Sequence, residues 1–242
     1  MRGLIWLSIC LISSQLGAQQ KVTFYADDSL KITADLYLIG FEKPFVLMFH
    51  QAGSSRGEFS EIAPKLMKLG YNCLAVDLRS GEKSNFIKNE TALAARAQKI
   101  PNRFIDASKD IDAAVNYVLR YNHQPVILFG SSYSASLALM KAKHSNRVRS
   151  VIAFSPGEYF RPELVVREEI AGLDVPVFIA VSEIEYSYVN ELSSQVATGK
   201  RVIFKPSLTR GVHGAKALWE SNEGSSEYWL NLTHFFRKLQ EV

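Results

Sequence analysis

Cysteine is scarce in this chain: Cys10 and Cys73 are the two present among 242 residues. Two such thiols make no disulfide framework, and no group of cysteines and histidines has metal-ligand spacing. No metal site is expected, and stability has to come from a packed core rather than from staples. Long hydrophobic runs are lacking too. The apolar stretch from Leu4 to Ile12 is far short of the ~20 residues that a spanning helix needs, so no transmembrane segment is expected. Charge of one sign is nowhere concentrated: 28 Lys and Arg against 24 Asp and Glu leave a net +4 spread along the chain, which argues against a nucleic-acid partner. The densest cationic group, Lys141, Lys143, His144, Arg147 and Arg149, falls where a helix should end, and cations there complement the negative end of its dipole. Internal repeats and low-complexity linkers are absent as well.

What is present begins with a leader-like segment. Residues 1–18 carry one positive charge at Arg2, the apolar stretch, and then small and polar residues ending Leu16-Gly17-Ala18, as a secretory signal peptide does. Cleavage after Ala18 would take the net charge from +4 to +3 by removing Arg2, and would leave Cys73 as the sole cysteine, inside the apolar strand pattern Tyr71 to Val76. A lipid anchor on Cys10 is disfavoured, because Ile9 is bulky where a lipoprotein box wants a small residue. The expectation is an exported protein, periplasmic or secreted, with residues 19–242 forming one domain.

Along that domain, Val22 to Tyr25 and Lys31 to Ile39 alternate apolar and polar residues around Asp27-Asp28-Ser29, the pattern of an antiparallel hairpin. Phe45 to Phe49 is an unbroken apolar strand, as in a sheet covered on both faces. Alternation follows: a helix beginning near Gly57 and closing over Pro64 to Leu69, a strand Asn72 to Leu78, a helix Ile105 to Leu119, a strand at Val126 with a helix through Ala142, strands at Val151 to Phe154, Val177 to Val181 and Val202 to Phe204, and a last helix Ser226 to Leu239. This specifies an α/β fold with a mainly parallel sheet, whose sites gather at the strands' carboxyl ends. Two irregular stretches remain. Arg79 to Phe104 is long enough to lean over such a site, and it contains Asn89-Glu90-Thr91, which spells a glycosylation sequon. The second is Gly157 to Asp174.

The stretch around which the chain is organised is Val126 to Leu139, where the apolar run stops at Gly130-Ser131-Ser132-Tyr133-Ser134 and resumes with helical spacing. It fits G-x-S-x-G with serine in the last place, a tight strand-to-helix turn that presents its central serine at a helix N-terminus. Ser132 is the candidate nucleophile, with the Tyr133 N–H placed to stabilise an anion beside it. Making Ser131 the nucleophile would put Phe129 and Tyr133 at the two small-residue positions. A serine needs a base, and a histidine base works best when a carboxylate fixes its tautomer. Of His50, His123, His144, His213 and His234, it is His213 that follows the last strand, between Gly211 and Gly214.

With Phe49-His50-Gln51-Ala52-Gly53, Gly130 to Ser134, the strand from Pro176 to Glu185 and Gly211-Val212-His213-Gly214, nearly the whole mature chain resembles the α/β-hydrolase superfamily, most closely its small dienelactone-hydrolase-like branch. The resemblance implies an α/β-hydrolase fold with an antiparallel N-terminal hairpin, helices on both faces, and no large cap, since Gly157 to Asp174 is too short for one. It also implies the order nucleophile, acid, histidine. Glu185 sits where the family places its acid; Glu183 is two residues earlier, and members that carry the acid one strand before point to Glu158. By the same resemblance the oxyanion donors are the Ala52 and Tyr133 N–H groups, and His50 supports its loop. Gln51 and Ser134 depart from the family's usual glycines. The function implied is a serine hydrolase acting without a cofactor on a small-molecule ester, thioester or lactone. Acyl transfer to another acceptor would use the same residues, and the alternative is an inactive binding or scaffold protein that keeps the fold.

Overall fold

The unbroken apolar runs are strands buried on both faces of one sheet. The structure, a computed structural model, describes residues 19–241; the expected signal peptide, with Arg2 and Cys10, lies outside the described residues. Strands β1 (Gln19–Tyr25) and β2 (Lys31–Tyr37) form the antiparallel hairpin, and β3 (Phe45–Phe49), β4 (Asn72–Val76), β7 (Val126–Ser131), β8 (Val148–Phe154), β9 (Val177–Ala180) and β10 (Arg201–Phe204) are mutually parallel. The eight are ordered β1-β2-β4-β3-β7-β8-β9-β10, with β2 antiparallel to β4. A separate two-stranded hairpin, β5 (Lys83–Ser84) with β6 (Ile87–Lys88), stands outside this sheet.

Side chains along a strand point alternately to opposite faces, and the core divides accordingly. Phe45, Leu47 and Phe49 join one apolar cluster, while Val46 and Met48 join the other. In β9, likewise, Val177 and Ile179 face one way and Phe178 and Ala180 the other. Helices α1 (Ala63–Lys68) and α7 (Ser225–Gln240) cover the second cluster. Helices α2 (Glu90–Ala97), α3 (Ser108–Leu119), α4 (Tyr133–Lys143), α5 (Val166–Glu169) and α6 (Tyr186–Leu192) cover the first. Having helices on both faces is what requires strands apolar on both.

Two expectations need correction. No continuous helix starts near Gly57: a 3-10 turn, Arg56–Phe59, is followed after a break by α1, because Ser55 caps the turn through Gly57 N–H and the chain then re-enters a helix with Pro64 in its first turn. Nor is Arg79 to Phe104 irregular. It holds the β5–β6 hairpin and α2, and it is tied down by Arg79, whose guanidinium pairs with Asp110 and Asp28. Asn89 is wholly buried; its amide donates to the Leu78 carbonyl at 2.9 Å and its oxygen caps α2 through Ala92 N–H at 2.7 Å. The sequon is therefore closed to a glycan in the folded chain.

The strand order reverses at β3, which has β4 on one side and β7 on the other. In parallel sheets, ligands bind in the crevice beyond the carboxyl ends at such a reversal. Phe49 and Gly130 are paired there, and the chain leaves β3 into His50-Gln51-Ala52-Gly53 and β7 into Ser132.

Candidate active site

Between β7 and α4 a single residue makes the turn. Ser132 has φ 61° and ψ −125°, a strained conformation for a residue with a side chain, of the kind that persists where surrounding structure enforces it. The enforcement is visible. A Cβ on Gly130 would lie 2.4 Å from the Ala135 Cα, so strand and helix meet at a distance only glycine permits. Ser134, where a glycine is usual, fits without crowding because its hydroxyl is used: it donates to the Phe49 carbonyl at 2.7 Å and accepts from the Ser131 N–H at 2.9 Å. It thus ties the turn to the end of β3. The neighbouring Ser131 is fully buried, and its Oγ accepts the Ala215 N–H at 2.8 Å, which leaves it facing away from the crevice.

Three side chains from distant parts of the chain meet above this turn. His213 Nε2 lies 2.8 Å from Ser132 Oγ, and His213 Nδ1 lies 2.5 Å from Glu185 Oε1. The other carboxylate oxygen, Oε2, accepts from the Ser182 N–H at 2.8 Å, the Ser182 hydroxyl at 2.8 Å and the Ser155 hydroxyl at 2.9 Å. Burial pushes the Glu185 carboxyl up, but the hydrogen bonds from His213, Ser182 and Ser155 outweigh it and bring it down to about 2. Glu185 is therefore ionised and an acceptor only, so the proton between it and His213 resides on Nδ1 and Nε2 is free to accept from Ser132. Chemically, the arrangement can take a proton from a serine hydroxyl.

Neither other glutamate reaches the histidine. Glu158 is engaged at the start of α5, accepting from the Val166 and Arg167 N–H groups at 2.8 and 3.0 Å, and Glu183 is exposed. His123, His144 and His234 are exposed elsewhere, His144 opposite Glu169 at 3.5 Å. His50 is fully buried; its Nδ1 donates to the Gln51 carbonyl at 2.8 Å and its Nε2 accepts the Leu78 N–H at 3.0 Å. Burial lowers its pKa, which keeps it a neutral brace for the loop. Within that loop the Gln51 N–H is taken by the Glu58 carboxylate at 3.1 Å, whereas Ala52 is exposed. The Gln51 side chain turns toward the histidine loop, and its Oε1 occupies the space that a side chain on Gly214 would need. As the first residue of α4, Tyr133 has no acceptor within the helix for its N–H.

Sequence reasoning missed two residues of this site. Ser155, at φ 52° just beyond β8, bridges the acid and the histidine loop, since its hydroxyl donates to Glu185 and accepts the Gly214 N–H at 3.0 Å. Tyr159, about a third exposed (36%), brings its hydroxyl to 3.3 Å from Ser132 Oγ. The available signal was position: both follow a strand next to β7, at its carboxyl end.

Residues 44–172 match the family model for the alpha/beta hydrolase fold. The chain belongs to the α/β-hydrolase family. Among solved structures, it resembles a dienelactone hydrolase from Anabaena variabilis at TM-score 0.70 and 18% identity, over 92% of this chain and 98% of that one. It also resembles an esterase from Pyrococcus furiosus (TM-score 0.66, 16% identity, 92% and 90% covered) and one from Pyrobaculum calidifontis (0.66, 14%, 95% and 86%). A search of the curated proteins finds no match. At these identities the likeness is one of fold.

Proposed function

We propose that this α/β-hydrolase is an exported serine hydrolase that cleaves a carboxylic ester, thioester or lactone through an acyl-enzyme. The observation that carries the reading is the continuous hydrogen-bonded chain from Ser132 Oγ through His213 to Glu185, at 2.8 and 2.5 Å, set on a strained turn at a helix start. The esterases and the dienelactone hydrolase among its structural relatives lend it further support.

In this reading Ser132 Oγ bonds to the substrate carbonyl carbon as its proton passes to His213 Nε2. Glu185 stabilises the imidazolium and keeps its orientation. The carbonyl oxygen, now negative, is received by the Tyr133 and Ala52 N–H groups, the first reinforced by the positive end of α4. When the intermediate collapses, the bond to the leaving oxygen or sulfur breaks and His213 returns the proton to it. Water then repeats the sequence on the acyl-enzyme and releases the acid. Apart from the substrate and water, each step uses groups of the chain itself.

The test is labelling of the purified mature protein by a fluorophosphonate, with turnover of an ester panel alongside. We expect labelling of the wild type, none in Ser132→Ala, and a fall of at least about a thousandfold in turnover for both Ser132→Ala and His213→Ala. A wild type that neither labels nor turns over any ester, thioester or lactone would return the chain to the non-catalytic binding role. Export is tested separately, by N-terminal sequencing of protein recovered outside the cytoplasm, which should begin at Gln19.

A further inference from the structure

The phenol of Tyr159 stands beside the reacting hydroxyl and has no part in the steps above. Its oxygen lies 3.3 Å from Ser132 Oγ and 3.2 Å from the Ser155 carbonyl oxygen. A built support holds it there. Ser136, wholly buried on α4, grips the loop at Gly157 in both senses, donating to its carbonyl at 2.8 Å and accepting from its N–H at 2.9 Å. One residue on, the Glu158 N–H donates to the Tyr188 hydroxyl at 2.7 Å while the Glu158 carboxylate is bound at the start of α5. The edge of the Tyr159 ring lies 2.9 Å from where a Cβ on Gly157 would be, so the ring's position depends on that glycine having no side chain.

A count of protons decides the sense of the contact. With Glu185 ionised and Nδ1 of His213 protonated, the hydroxyl hydrogen of Ser132 is committed to Nε2. A second hydrogen bond at Ser132 Oγ can then form only if the phenol donates it, turning its single hydrogen from the Ser155 carbonyl, its other acceptor at 3.2 Å, to Ser132 Oγ. We propose that Tyr159 is a further catalytic residue, its O–H donating to Ser132 Oγ and stabilising the negative charge that develops there. The inference rests on the serine-hydrolase reading. In acylation Oγ loses its proton to His213 while its bond to the carbonyl carbon is still forming, and the charge that passes through it meets the phenol. In deacylation the same oxygen is the leaving group: its bond to the acyl carbon breaks and His213 returns the proton. The phenol keeps its own proton throughout. Burial raises its pKa, so it keeps its proton at neutral pH.

The experiment compares wild type with Tyr159→Phe, which removes the hydroxyl but keeps the ring that fills the space over Gly157. It measures kcat and KM on an ester and the rate of fluorophosphonate labelling, with near-ultraviolet circular dichroism as a check on folding. The expected result is a fall of about ten- to a hundredfold in both kcat and labelling rate, with KM within about twofold of wild type, since a hydrogen bond to a developing charge is made mainly in the transition state. Unchanged kcat and labelling in Tyr159→Phe, beside a wild type that labels, would overturn the role of Tyr159 and leave the serine-hydrolase reading standing. A rise in KM at constant kcat would also overturn it, making the phenol a substrate contact. A wild type that fails to label or turn over would remove the hydrolase reading and this inference with it.

Discussion

At Glu185, burial and hydrogen bonding act in opposite directions on one carboxyl, and hydrogen bonding prevails, taking it from 4.5 to about 2. A carboxyl whose pKa is depressed on folding adds stability that is complete above its unfolded value and is lost as pH falls through the folded one. The window here runs from about pH 5 down to about pH 2, and a shift of this size corresponds to on the order of 3 kcal/mol. Urea denaturation at pH 7, 4 and 3 should show that loss in the wild type and a flatter profile in Glu185→Gln. The same variant should lower kcat by about a thousand- to ten-thousandfold, because a glutamine no longer favours the Nδ1-protonated tautomer or the imidazolium. A Glu185→Gln enzyme within tenfold of wild type would remove Glu185 from the proposed mechanism.

The turn between β7 and α4 is shaped by two small residues with different tasks. Gly130 is small because α4 crosses at its Cα, and Gly130→Ala, whose Cβ would stand 2.4 Å from the Ala135 Cα, should cost about 3 kcal/mol or leave the protein insoluble. Ser134 is small because its hydroxyl has to reach Phe49 and Ser131. Restoring the family's usual glycine there is expected to destabilise by about 1 kcal/mol, through the lost hydrogen bonds and the greater freedom of the unfolded chain. Thermal denaturation of Ser134→Gly checks this, and a higher midpoint than wild type would contradict it.

Across the whole molecule, Arg79 joins segments far apart in the chain. Its guanidinium bonds Asp110 on α3, Asp28 in the turn between β1 and β2, and the Pro101 carbonyl, with the side chain 1% exposed. Removing one member of a buried ion pair strands the other, so Arg79→Ala should lose about 3 to 5 kcal/mol. Because the pair is shielded from solvent, the loss should persist at high salt. A urea midpoint within error of wild type would show that packing alone holds residues 79–104.

Strand positions, the parallel sheet and the helices over both its faces were legible in the sequence, because apolar periodicity is a local property and each run carries its own signal. So was the strand-turn-helix at Ser132, since small residues at fixed spacing are needed to make so tight a turn. The 79–104 segment was not legible, as its order comes from contacts of Arg79 and Asn89 with residues distant in the chain. Resemblance pointed to Glu185 over Glu158 and Glu183, but which carboxylate reaches His213 is visible only in the tertiary structure. A carboxylate looks the same in any loop, and only the crossing of chain segments decides that one of them accepts from Ser155, Ser182 and His213 while another caps a helix. Tyr159 belongs with these: its hydroxyl meets Ser132 across 27 residues of chain, a distance that no local pattern spans.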